Sequence, residues 1–125
     1  MTDELNLATV WEVVSDVVGD ASALAHGDTE LTWSQYDDRA ARLATVLAEH
    51  GIGHDDKVAH YLYNGPEYLE ATYASFKARA VPVNVNYRYT EAELRYLFDN
   101  SDAAAVVVDG ALAPNLEHLR SQLPG

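Results

Sequence analysis

The sequence predicts an α/β fold in which a mostly parallel sheet carries helices on both faces and is preceded by a small hairpin. Three observations predict it. From Lys57 onward, strand-like and helical apolar patterns alternate in the order β, α, β, α, β, α. The segments joining them are short, and such connections favour right-handed crossovers into one parallel sheet. Two capping boxes, Thr32-x-x-Gln35 and Thr90-x-x-Glu93, place helix starts within that alternation.

The first helix is read from Leu7, Val10, Trp11, Val14 and Val18, which recur at helical spacing and stop at Gly19-Asp20. Ser22 to His26 and Glu30 to Thr32 flank Gly27-Asp28-Thr29, the pattern of a hairpin. After Thr32 the apolar face Tyr36, Ala40, Leu43, Leu47 runs until Gly51, which predicts the second helix. Lys57 to Tyr63 reads as a strand bounded by Asn64-Gly65-Pro66. A third helix restarts at Pro66, where a missing N–H costs nothing, with Asn64 or Gly65 as cap and Leu69, Tyr73 and Phe76 as its apolar face. Val81 to Val85 is read as a second core strand, and Leu94, Leu97 and Phe98 as the inward face of the helix opened by Thr90. Asp102 to Asp109 encloses the apolar run Ala103 to Val108, a buried strand of the parallel-sheet kind, and a last short helix follows Pro114.

Composition narrows the function classes. The chain has 125 residues, about one domain's worth, and its 8 Lys and Arg against 20 Asp and Glu give a net charge of −12. Such a field repels polyanions, so nucleic acid and acidic membranes are expected to be excluded as partners. With no cysteine there is no disulfide, thiolate nucleophile or cysteine zinc site. The longest apolar run is far short of the roughly 20 residues of a membrane helix, and no basic-then-apolar leader opens the chain. A soluble, cytoplasmic protein without a membrane span is the expectation. No linker divides residues 1–125, so any domain boundary is expected outside them.

Catalytic patterns are sparse. None of the glycines begins a phosphate-binding G-x-x-x-x-G-K-[ST] loop, and Gly51-Ile52-Gly53 lacks the third glycine of a dinucleotide fingerprint and precedes a strand instead of following one. It reads as a helix cap and turn. The histidines at 26, 50, 54, 60 and 118 form no helical zinc pair. His50 and His54 are expected on a solvated loop, whereas His60 shares a strand face with Val58 and Leu62 and is either a hydrogen-bonded core histidine or a base. The adjacent carboxylates Asp37-Asp38 and Asp55-Asp56 should point apart. Seven of the eight tyrosines lie between Tyr61 and Tyr96; Tyr73 belongs to a helix core face and Tyr61 and Tyr63 to a strand, so packing is expected before a pocket. Asn86-Tyr87-Arg88-Tyr89 falls in the loop after a parallel strand, where open α/β sheets place ligands. Arg88 there meets either an anionic ligand or a surplus surface carboxylate. No residue is singled out as catalytic, cofactor-binding or metal-binding.

Leu31-Thr32-Trp33-Ser34-Gln35-Tyr36 followed by Arg39-Ala40-Ala41-Arg42-Leu43-Ala44 resembles the first core motif of the adenylate-forming (AMP-binding) acyl-CoA synthetase superfamily. Gly51-Ile52, Asp56-Lys57-Val58-Ala59, Asn64-Gly65-Pro66-Glu67-Tyr68 and Phe76-Lys77-Ala78-Arg79-Ala80-Val81-Pro82-Val83-Asn84 resemble its next landmarks in the same order. Val85-Asn86-Tyr87-Arg88-Tyr89-Thr90 with Glu93-Leu94 is similar to the fatty-acyl-CoA ligase branch. The resemblance covers residues 8–110. It implies that residues 1–125 are an incomplete N-terminal portion of a synthetase domain. The complete enzyme would use ATP, magnesium and coenzyme A to turn a fatty acid into an acyl-adenylate and then an acyl-CoA.

The family's phosphate loop, ribose-binding aspartate, hinge and catalytic lysine lie downstream of anything present here, so no catalytic residue carries over. Arg79 stands where the family usually has glycine, and Trp33 and Tyr36 replace its usual tyrosine and leucine. The leading expectation is a scaffold segment, inactive by itself, whose partner is the remainder of the synthetase. The alternatives are a self-standing, non-catalytic binding or assembly module with a protein partner, and a flavodoxin-like domain holding a small ligand at its strand ends.

Overall fold

The computed structural model describes residues 6–122. In chain order these are α1 (Leu7–Val18), β1 (Ser22–His26), β2 (Thr29–Thr32), α2 (Trp33–Glu49), β3 (Lys57–Tyr61), α3 (Pro66–Lys77), β4 (Val81–Asn84), α4 (Glu91–Ser101), β5 (Ala103–Val108), α5 (Ala113–Glu117) and a 3₁₀ turn at Arg120–Gln122. The β1–β2 hairpin is antiparallel, and the second sheet has the order β4-β3-β5 with every pair parallel. Helices cover both faces of that sheet. Val58, Ala105 and Val107 meet the layer built from α1, α2 and α3, whereas Ala59, Tyr61 and Val108 meet Leu94 and Phe98 of α4 and Leu112, Leu116 and Leu119.

Helix boundaries follow the predicted caps. Thr32 and Gln35, and again Thr90 and Glu93, exchange both hydrogen bonds of a capping box. Gly51, at φ +78°, ends α2: its amide donates to the Ala48 carbonyl and that of Ile52 to the Leu47 carbonyl, the two bonds of a left-handed helix terminus. Gly65 caps α3 with no side-chain bond, and Pro66 occupies the first turn.

Several expectations are corrected. The central strand ends at Tyr61, not Tyr63, because both neighbours stop beside it: His60 is the last residue paired with β4 and Tyr61 the last paired with β5. Among the described residues β4 is an edge of the sheet and only partly buried, where a core strand was expected. β5 is likewise an edge among the described residues, and Val106, on the face shared with Phe98 and Leu116, is 38% exposed. Leu69 is not part of α3's buried face. That face is Glu70, Ala71, Tyr73, Ala74 and Ser75, small residues against the sheet and long ones against α2.

Helix α1 is rotated from the expected register. Ala8 and Ser15 are buried beside half-buried Trp11, while Leu7, Val10 and Val18 face outward. The bulk of Trp11 sets that rotation: its ring lies 5.2 Å from Tyr73 and 5.7 Å from Phe76, both edge-on. Small Ala8 and Ser15 permit the approach, and the Ser15 hydroxyl donates to the Trp33 carbonyl.

Arg79 does adopt the left-handed backbone, at φ +62°, that glycine would take without strain. Its guanidinium offsets that strain by donating to the Phe76 carbonyl at the end of α3 and to Asn6 and Thr9 at the start of α1. The positive charge also suits a helix C-terminus.

Gly19 is required for space, since its φ is an ordinary −54°. A Cβ there would overlap Ser34 Oγ and come within 2.8 Å of the Ser15 carbonyl oxygen. Gly19→Ala is therefore expected to destabilise the fold by about 1–3 kcal/mol, as overpacking against backbone does. Urea unfolding of the two proteins checks this, and an unchanged midpoint would contradict the packing described.

Candidate functional site

The chain leaves the C-terminal ends of β3 and β4 in two loops, and between them opens a cleft of about 340 Å³ lined by Leu62, Asn64, Tyr68, Asn84, Val85, Asn86 and Tyr87. The Tyr68 hydroxyl donates to Asn84 Oδ1 at 2.6 Å, tying the first turn of α3 to the end of β4. The Tyr63 and Tyr87 rings meet at a tilt of 56° with centroids 4.9 Å apart. Asn86 builds the next turn, accepting the Arg88 amide on its side chain at 2.8 Å and the Tyr89 amide on its carbonyl at 3.1 Å. The Arg88 guanidinium lies 5.5 Å over the Tyr87 ring, and no carboxylate among the described residues pairs with it. The expected surface ion pair is not made. An exposed cation beside amides and phenols can meet a carboxylate or phosphate.

A second cleft, of about 440 Å³, lies between the hairpin and the start of α3, lined by Ala23 to His26, Asn64 to Pro66, Tyr68 and Leu69. Its walls are mostly apolar, and His26 is its one titratable group besides Tyr68.

The remaining candidates are scattered. The His50 ring lies 2.9 Å from the Val46 carbonyl, and His54 Nδ1 lies 3.1 Å from Asp55 Oδ2. His118 is exposed at the end of α5. Adjacent carboxylates do diverge: Asp37 turns to Tyr73 and Lys77 while Asp38 pairs with Arg42, and Asp56 accepts the Gly53 amide while Asp55 faces His54. Among the described residues, no three His, Asp or Glu side chains converge as a metal group. Tyr73 is in the core and Tyr61 on its strand, as expected, but Tyr63 lies beyond the strand's end.

His60 is a core histidine. Its Nε2 lies 3.1 Å from Ser75 Oγ, and that hydroxyl donates to the Ala71 carbonyl one turn back on α3. Burial alone lowers its pKa from 6.5 to about 4, so the ring is neutral at physiological pH. The position where a flavodoxin-like domain would hold its ligand, between the ends of β3 and β5, is filled. Leu112 and Leu119 are buried there beside Tyr61, whose hydroxyl accepts from Asn115 Nδ2 at 3.1 Å.

Of the tyrosine–asparagine lining of the first cleft, the sequence points to Asn86 and Tyr87 but not to Asn64, Tyr68 or Asn84. Its residues come from the loop after β3 with the first turn of α3, and from the end of β4 with the loop after it, about twenty positions apart, and only the parallel pairing of β3 with β4 brings them together. The sole signal was the position of both loops after predicted parallel strands.

Comparison with known proteins gives a consistent answer. The sequence pattern of the family described as AMP-binding enzyme matches residues 11–124. The medium/long-chain-fatty-acid–CoA/3-oxocholest-4-en-26-oate–CoA ligase of Mycobacterium tuberculosis is 43% identical over 99% of this chain, which spans 23% of that protein. The 3-oxocholest-4-en-26-oate–CoA ligase of Rhodococcus rhodochrous is 48% identical over 82% of the chain and 19% of its own length. Among solved structures, the inhibitor-bound N-terminal domain of FACL13 from Mycobacterium tuberculosis superposes with a TM-score of 0.89 at 26% identity, covering 97% of this chain and 31% of that one. The chain thus spans about a quarter of the length of the curated relatives it matches, at their N-terminal part.

The buried imidazole predicts a pH dependence. The folded protein refuses a proton that the unfolded chain accepts at pH 6.5, so His60 makes stability fall as the pH drops from about 6.5 toward 4. Its contribution to that loss is roughly 2–3 kcal/mol. Urea midpoints of the native chain and His60→Gln at pH 7 and 4.5 check the sign: the variant should lose less stability on acidification, and an identical loss would contradict it.

Proposed function

The chain belongs to the family of AMP-binding enzymes, and from that premise we propose that it is the N-terminal scaffold of an ATP-dependent fatty-acyl-CoA synthetase. The complete enzyme converts a fatty acid to an acyl-adenylate and then to an acyl-CoA, using ATP, magnesium and coenzyme A. By itself the chain is inactive. The observation carrying this reading is the match at 43% identity, along nearly the whole chain, to less than a quarter of a fatty-acid–CoA ligase.

The side chains support a scaffold role. They do not fit magnesium or the phosphates of ATP: Asp37 and Asp38 are turned to different cations, and no trio of ligands converges among the described residues. The third helix opens on Pro66, which has no amide to offer a phosphate. Hence no chemical step is assigned to these residues. Their contribution is mechanical: a parallel sheet, a helical layer fastened to it, and loops after β3 and β4 held in place by the Tyr68–Asn84 bond. The partner is the remainder of the synthetase.

The reading predicts that this chain can replace its counterpart. A chimera in which it substitutes for the matched segment of the Mycobacterium tuberculosis ligase should form acyl-CoA from a medium- or long-chain fatty acid, ATP and coenzyme A. The rate should lie within about tenfold of the parent enzyme, a loss of about 1.4 kcal/mol. A folded chimera without activity would overturn the proposal.

A further inference from the structure

Helix α1 is apolar on nearly every side, yet only one side rests on the core. Ala8, Trp11 and Ser15 face α2 and α3, and Glu12 reaches Lys77 beside them. On the opposite side Val10, Val13 and Val17 are 44%, 56% and 76% exposed, with Val14 half-buried next to them. Their spacing, i, i+3, i+4 and i+7, is that of a packed helix face. A surface helix carries charged residues there, and a helix that is apolar all round is a buried one. The outer side of α1 is therefore built to be covered.

The two ends of the stripe select what covers it. Helix α1 has no Lys or Arg and the chain carries a charge of −12, so an acidic bilayer, which recruits helices through their basic residues, is repelled. At the start of the stripe, the Arg79 guanidinium donates to Asn6 and Thr9. At its end stand Asp16 and Asp20, both exposed and paired with no cation among the described residues. A stripe with a cation at one end and carboxylates at the other is complementary to itself when reversed. Laid antiparallel about a two-fold axis between Val13 and Val14, it sets Val10 against Val17 and Val13 against Val14, and brings each Arg79 toward Asp20 of the other copy.

We propose that a second copy of this chain covers the outer face of α1 in such an antiparallel pair. The repulsion between two chains of charge −12 is screened beyond about 8 Å at physiological salt, whereas the valine seam and the Arg79–Asp20 pairs act at contact. One pair of 12-residue helices is a smaller interface than the roughly 1,200 Å² of a stable complex, so the dimer is reversible. This association goes beyond the scaffold reading and does not depend on it.

Sedimentation equilibrium of the 125-residue chain should show a mass rising from that of one copy toward that of two between about 5 and 500 µM, and Val13→Glu should weaken the association at least about tenfold. The chain has no cysteine, so single cysteines report the geometry. Val13→Cys, next to the axis, should form a disulfide-linked dimer at least about tenfold faster than Leu7→Cys, whose two copies lie about 20 Å apart in the antiparallel pair. It should likewise outpace Tyr96→Cys, exposed on α4. A monomer at every concentration overturns the proposal, as does a dimer in which Leu7→Cys or Tyr96→Cys links as fast as Val13→Cys. If Val13→Cys resists a soluble thiol reagent in a monomeric chimera with the Mycobacterium tuberculosis ligase, the remainder of the synthetase covers the stripe and the proposal falls.

Discussion

The structure depends on one joint, the contact of Tyr73 and Lys77 on α3 with Asp37 on α2. The Tyr73 hydroxyl donates to Asp37 Oδ1 at 2.6 Å, and Lys77 Nζ lies 2.8 Å from the same oxygen and 2.7 Å from Glu12 Oε2 on α1. Burial would push the Asp37 carboxyl up, but the hydrogen bonds from Lys77 and Tyr73 outweigh it and hold the group below the usual carboxylate range. Burial likewise opposes the Lys77 ammonium, and its two carboxylate partners more than compensate. Three helices therefore meet at one lysine. Because α3 also rests on β3 through His60 and Ser75, the hairpin, α1 and α2 are carried on the sheet by this helix. Arg39 paired with Glu70, and the Tyr36 hydroxyl donating to the Leu69 carbonyl, repeat the α2–α3 link nearer the start of α3.

Local chemistry made the element order legible. Thr32 with Gln35, Thr90 with Glu93, Pro66 and Gly51 act within one turn of the chain, so their meaning survives whatever packs around them. Facing was harder to read. The spacing of Leu7, Val10 and Val18 marked a helix correctly but not its buried side, since α1 turns to seat Trp11 between Tyr73 and Phe76. The valines of β4 suggested a core strand, although Pro82 already carried the opposite signal: proline inside a strand belongs at an edge. Arg79 in a left-handed turn is intelligible only once its guanidinium is seen to reach Asn6 and Thr9, some seventy residues away.

The cleft at the strand ends was legible only as a location. Asn86 and Arg88 stood out because their loop follows a parallel strand, whereas Asn64, Tyr68 and Asn84 gave no sign of meeting. What the geometry adds is restraint: His60 is held in the core, Asp37 and Asp38 serve different ion pairs, and no three His, Asp or Glu side chains converge among the described residues. The chain spans about a quarter of its relatives and belongs to a family of AMP-binding enzymes, and the proposed division leaves it the scaffold's share of the work.

ATP–pyrophosphate exchange tests that division of labour most directly, because it reports adenylate formation without requiring coenzyme A. The purified 125-residue chain, incubated with magnesium, ATP, labelled pyrophosphate and fatty acids of several lengths, should show no exchange above a protein-free control. Robust exchange that depends on the fatty acid would place adenylation chemistry inside these residues and contradict the scaffold account.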